Sequence, residues 1–141
     1  MNLEKLKTLV KQGESEALEF KTSTKELRGA FETACVFLNN QSGIILIGVG
    51  NNGAITGQQV SDQTKKDIAA EIVKIEPSAQ AQIYVKYVSV GGDKQVIVLE
   101  IGKGDYAPYI YDGRHFLRVQ STTLAICNSV FLFICLSDKI L

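Results

Sequence analysis

Residues 43–57 read GIILIGVGNNGAITG, and two incompatible architectures can be drawn through them. The segment Gly48–Gly53 matches the G-x-G-x-x-G dinucleotide fingerprint and follows a run of apolar residues. That fingerprint works by opening a helix whose N-terminus holds a pyrophosphate. The residues that follow, AITGQQV, instead read as the return strand of a hairpin, with Asn51-Asn52-Gly53 supplying the turn. No second parallel strand with an acidic end follows at the usual distance, and no glycine-rich stretch leads into a P-loop GK[ST]. The hairpin reading therefore makes IILIGV a central strand, covered on both faces, of a largely antiparallel sheet.

Upstream, Leu3, Leu6, Leu9 and Val10 recur at helical spacing, and Gly13 closes that helix. Ala17–Thr22 alternates, with Leu18 and Phe20 on one side and Glu19 and Lys21 on the other, as in a half-buried strand. Ser23 or Thr24 caps a second helix whose buried stripe is Leu27, Phe31, Ala34, Cys35 and Leu38. Downstream, Ser61 or Asp62 caps a helix to Lys74, with Ile68, Ala69, Ile72 and Val73 inward and Pro77 beyond its end. AQIYVKYVSV and KQVIVLEIG form a hairpin about Gly91-Gly92-Asp93. YIYDGRHFLRV forms another about Asp112-Gly113. The expected fold is a single α+β domain, a mixed, mostly antiparallel sheet with about three helices packed on it.

At 141 residues, 45% hydrophobic and 21% charged, the chain can bury a core and is not a disordered one. Fifteen basic residues balance fifteen acidic ones, so there is no global field for polyanions, and any nucleic-acid binding needs a local patch. Cys35, Cys127 and Cys135 lack zinc-ligand spacing and read as plain thiols of a cytoplasmic protein. The N-terminal MNLEKLKTLV lacks the apolar core of a secretion signal. Residues 124–141 form an apolar tail, unbroken from Val130 to Leu136, which is too short to cross a membrane. The tail reads as a last buried element, a truncation point or a homodimerisation element, so the domain is set at residues 1–123.

The combination of ESEALEFK, a helix ending FLNNQSGIILIGVGNNGAITG, and APYIYDGRHFLRVQSTT resembles the Schlafen/Alba-type DNA-binding domain family, earlier described as a divergent ATP-binding domain. The matching positions are Glu19-Phe20-Lys21, Asn39 or Asn40, Gly43–Val49, and Pro108 with Tyr109, Phe116 and Arg118. The resemblance implies a nucleic-acid-binding module of a bacterial transcriptional regulator-like protein, with DNA ahead of RNA as the partner. It also implies an alternative. Some family members cleave RNA with two glutamates five residues apart and an aspartate after the IGV strand. Glu14 and Glu19 match the glutamates, but Gly50-Asn51-Asn52 stands where the aspartate would be. Exchanging a carboxylate for an amide weakens a site for Mg²⁺ or Mn²⁺. ATP near Gly48–Gly53 is the third reading.

For Glu14, Glu16 and Glu19 three roles stay open: a solvated face, an ion pair of Glu19 with Arg28 or Arg118, or a catalytic pair. The binding candidates are Lys21, Lys25 and Arg28 at the strand exit and next helix, and Arg114 and Arg118 on the last hairpin. Leu117 and Val119 alternate with Arg118, so Arg118 is expected to point outward beside Phe116. The expected mechanism is phosphate contact by these cations, with no cofactor and no resident metal. For His115, the lone histidine, the sequence indicates no second base or metal ligand, and the tyrosines read as cross-strand packing more than as stacking platforms.

Overall fold

The structure, a computed structural model, describes residues 1–126. Cys127, Cys135 and the apolar run 130–136 lie outside the described residues, and the expectations of a buried or dimerising tail fall there.

Four strands make the main sheet: β1 (Leu18–Lys21), β2 (Gly43–Ile47), β4 (Ile83–Gly91) and β5 (Lys94–Ile101), in the order β1-β2-β5-β4. The β1–β2 pair is parallel and the other two pairs are antiparallel. Parallel neighbours need a crossover, which helix α2 (Leu27–Asn39) supplies. Helix α1 (Leu3–Gln12) packs on the other face, where Leu6 and Val10 join Leu18, Phe20, Leu46, Val88, Val96 and Val98. Against α2 the sheet sets Ile45, Ile47, Ile97 and Leu99. Strand β2 is thus inner and apolar on both faces, and the fold is α+β, with three α-helices among the described residues.

The fingerprint-like stretch is a turn. Gly50 N–H donates to the Ala54 carbonyl at 2.9 Å, and Val49 bridges Ile55 antiparallel. The return is shorter than a strand, a single bridge. Its glycines serve a backbone crossing: a Cβ on Gly48 (φ +110) would lie 2.9 Å from the Gly57 Cα. The next helix, α3 (Asp62–Ile72), begins well beyond the turn, capped by a Ser61–Thr64 capping box. Gly48–Gly53 therefore does not open a helix, as the fingerprint requires. Of the four α3-region residues expected inward, Ile68 is buried and Ile72 partly so, but Ala69 is exposed and Val73 is 63% exposed. This helix lies at the margin of the core and buries one narrow stripe.

The hairpin expected at Asp112-Gly113 is a corner rather than a ribbon. Tyr111 and Arg114 exchange both backbone hydrogen bonds at 3.0 Å, and then the strands part. Strand β6 (Ile110–Tyr111) pairs with β3 (Ile75–Glu76), while β7 (His115–Val119) pairs with β8 (Thr122–Ile126). Tyr109, Tyr111 and Phe116 are all buried in the α2-side core, and satisfying all three pulls the chain round the corner. Strand β8 runs through residue 123, where the edge of the domain was expected. Among the described residues no helix is long and apolar enough to cross a membrane.

Candidate nucleic-acid interface

Lys21 ends β1 on the face that α2 covers. Its ammonium lies over Gly29, where a Cβ would sit 3.2 Å from Nζ. Ser23 caps a 3₁₀ turn, Thr24–Glu26, that carries Lys25 and runs directly into α2. Glu26 turns back to accept the Thr22 N–H at 2.7 Å and its hydroxyl at 2.8 Å. Those hydrogen bonds hold its carboxyl below the usual range. Arg28, in the first turn of α2, donates from Nη1 to Asp112 at 2.8 Å, and its Nε is 3.7 Å from Glu32. Its guanidinium lies 5.8 Å from the centre of the Tyr111 ring. Arg114 stands exposed across the two-residue turn from Tyr111. The Arg28–Asp112 contact spans 84 positions of sequence and puts the 21–28 and 112–114 segments side by side.

Arg118 corrects the sequence expectation. Its side chain is 2% exposed and that of Glu19 is 8% exposed. Nη1 donates to Glu19 at 2.9 Å and to the Thr123 hydroxyl at 3.1 Å. Nη2 donates to the carbonyls of Ser15 (2.7 Å) and Leu18 (3.3 Å). Thr33 of α2 also donates to Glu19, at 2.8 Å. Strand β7 alternates as expected, but with the faces reversed: Phe116 and Arg118 face inward, and Val119 is 53% exposed. Likewise Glu19 is on the predicted side of β1, but α2 and β7 cover that side. Arg118 is a buried clamp here, with its charge countered by Glu19.

Glu14 reaches the same neighbourhood. Its Oε1 accepts the Phe20 N–H at 2.9 Å. Burial, and then the neighbouring Glu19 carboxylate, raise its pKa, against the opposing pull of the Phe20 N–H. Glu14, Ser15, Glu16, Gln120 and Ser121 line an open cleft of about 330 Å³. Glu16 itself is exposed. Glu19 is paired with Arg118, and no three His, Cys, Asp or Glu side chains converge among the described residues. Asn51 stays in the exposed Gly50–Ala54 turn.

A family model, Schlafen AlbA_2, matches residues 14–127. The chain belongs to the Schlafen AlbA_2 family. A solved structure with a similar fold is the DIP2311 protein from Corynebacterium diphtheriae, at a TM-score of 0.59 and 14% identity. The match covers 84% of this chain and 27% of that one, so the chain spans about a quarter of its length. No curated protein matches the chain.

Within this AlbA_2 domain the asparagine at the end of α2 is Asn39. It donates to the Tyr109 carbonyl at 2.8 Å and accepts the Tyr109 N–H, whereas Asn40 is exposed. Lys74 and Asp112, a helix end and a turn residue in the sequence, belong to one neighbourhood in the structure. Lys74 follows α3, its carbonyl accepts the Asp112 N–H at 3.1 Å, and its ammonium pairs with Glu71 at 2.9 Å. No linear pattern connects positions 74 and 112. Only the β3–β6 pairing brings them together.

Glu14 gives a pH signature. Because its folded pKa is raised, its protonated form favours the fold: the contribution is whole below the unfolded carboxylate pKa and is lost as pH rises through the folded value. The wild-type advantage over Glu14→Gln in urea midpoint is expected to grow as pH falls from 7 to about 4. A difference that is flat or shrinks towards acid would contradict the placement of Glu14.

Proposed function

We propose that this domain binds nucleic acid, DNA ahead of RNA, by gripping backbone phosphates with Lys21, Lys25, Arg28 and Arg114, with Lys74 at their margin. The observation that carries the reading is the Arg28–Asp112 contact, which unites two sequence-distant cationic segments on one surface. Family membership supports a nucleic-acid-related role. Lys25 and Arg114 form no ion pair among the described residues. Arg28 and Lys74 share their charge with Asp112, Glu32 and Glu71. With so many carboxylates interspersed, binding is modest, indifferent to base sequence and salt-sensitive. In a longer protein the domain would serve as the nucleic-acid module of a regulator.

The test is fluorescence anisotropy with a labelled DNA duplex across a salt series. The triple change Lys21→Glu, Lys25→Glu, Arg114→Glu is expected to weaken binding roughly 10- to 100-fold and to flatten the salt dependence. Equal affinity for the triple variant and wild type would overturn the assignment. The nuclease alternative has its own arm: RNA cleavage in Mn²⁺ that disappears in a folded Glu14→Gln variant would replace this reading with a hydrolytic one.

A further inference from the structure

We propose that Asp112 is a resident counter-ion in the cationic patch, occupying a subsite that a backbone phosphodiester takes by displacing it. The inference rests on the nucleic-acid reading above and deepens it by naming the subsite and the group that guards it.

Asp112 takes one N–H of Arg28, at 2.8 Å, and both side chains are about half exposed, at 50% and 44%. Arg28 comes first among the groups that lower the Asp112 carboxyl, with Lys74 and Arg114 adding their charges. Arg28 pairs with this carboxylate directly, the backbone of Lys74, just past α3, is hydrogen-bonded to that of Asp112, and Arg114 stands two residues further on, just before β7. An exposed pair in water is weakly held. A phosphodiester offers the same charge and acceptor oxygens that suit the guanidinium fork, so exchange of one anion for the other is easy.

Two features show that the turn does not need the carboxylate. Asp112 (φ 51) and Gly113 (φ 75) are the left-handed pair of a tight turn, which Asn-Gly or Gly-Gly builds equally well. The backbone there is fixed independently, by the Asp112 N–H to the Lys74 carbonyl and by the Tyr111–Arg114 exchange. Arg28 also has support that survives the loss of Asp112. The Tyr111 ring lies beneath it, and Tyr111 is buried with its hydroxyl donating to Glu71. Once the carboxylate is gone, the guanidinium stays where a phosphate can meet it.

Asp112→Asn and Asp112→Gly both suit the left-handed backbone and are expected to fold as wild type. In the anisotropy assay at about 0.1 M salt, each is expected to bind the DNA duplex about 3- to 10-fold tighter, with a steeper salt slope by about one contact. In an Arg28→Ala background the gain should vanish. Asp105→Asn, at the opposite end of α2 next to Gly104, whose N–H donates to the Leu38 carbonyl, lies beyond a screening length and should leave affinity unchanged. If wild type binds but the Asp112 variants bind equally or more weakly, the counter-ion role is wrong while the binding reading stands. The same gain from Asp105→Asn would also overturn it, by reducing the effect to net charge. If neither wild type nor any variant binds, the nucleic-acid reading falls and takes this inference with it.

Discussion

Arg118→Ala is expected to remove about 3–5 kcal/mol of folding stability, a large part of the 5–15 kcal/mol of an ordinary domain. The side chain makes four hydrogen bonds, one to a carboxylate that is itself buried, and its guanidinium lies 5.4 Å from the centre of the Phe37 ring. Truncation leaves the Glu19 carboxylate enclosed between α2 and β7 without its cation, beside the Thr33 hydroxyl and the Glu14 carboxyl. The energetic weight lies in that stranded carboxylate more than in the lost contacts. Removing both charges in the pair Glu19→Leu, Arg118→Met should therefore cost less than either single change. Urea unfolding of the four proteins measures the cycle. A loss below about 1 kcal/mol for Arg118→Ala would mean that Arg118 lies on the surface, as the alternation of β7 alone suggested.

Asn39→Ala is the second large loss, about 2–4 kcal/mol. The amide completes the backbone hydrogen bonding of a fully buried residue, donating to the Tyr109 carbonyl and accepting its N–H. Alanine strands both groups away from water, with only the weak Cys35 thiol, 3.4 Å from the carbonyl, in reserve. Asn39→Asp keeps the acceptor but sets a carboxylate against the Tyr109 carbonyl, so it should be no milder at neutral pH. The control is the adjacent residue: Asn40→Ala, on an exposed side chain, should stay within about 0.5 kcal/mol. Equal losses at positions 39 and 40, read from thermal or urea melts, would remove the assignment of this amide to the Tyr109 backbone.

Much of the architecture is legible because it rests on local chemistry. The Asn-Asn-Gly turn after an apolar run, the Gly91-Gly92-Asp93 hairpin and the Ser61 cap each depend on a few adjacent residues. Local chemistry is ambiguous where two faces of an element are equally apolar. In β7 both Phe116 with Arg118 and Leu117 with Val119 could be the inner face, since each pair holds an apolar residue. The core beneath α2 has room for Phe116, and the buried Glu19 makes Arg118 welcome there. Along α3, Ala69 and Val73 fit a helical stripe, but the core takes in only Ile68 and part of Ile72. The Asp112 corner looked like a hairpin because Asp-Gly marks the turn and says nothing of what each arm pairs with.

The candidate site divides along the same line. Residue types singled out Lys21, Lys25, Arg28 and Arg114 as cations, and the resemblance of the combined motifs to the family pointed to Glu14 with Glu19 as an acid pair. Which of the charges face water, and which neutralise each other inside the protein, came from the tertiary structure alone. A side chain's charge is set by its chemistry, but its availability depends on partners 84 to 99 residues away. Alternation along a strand names two faces, and only the layer that packs against one of them determines which face is dry.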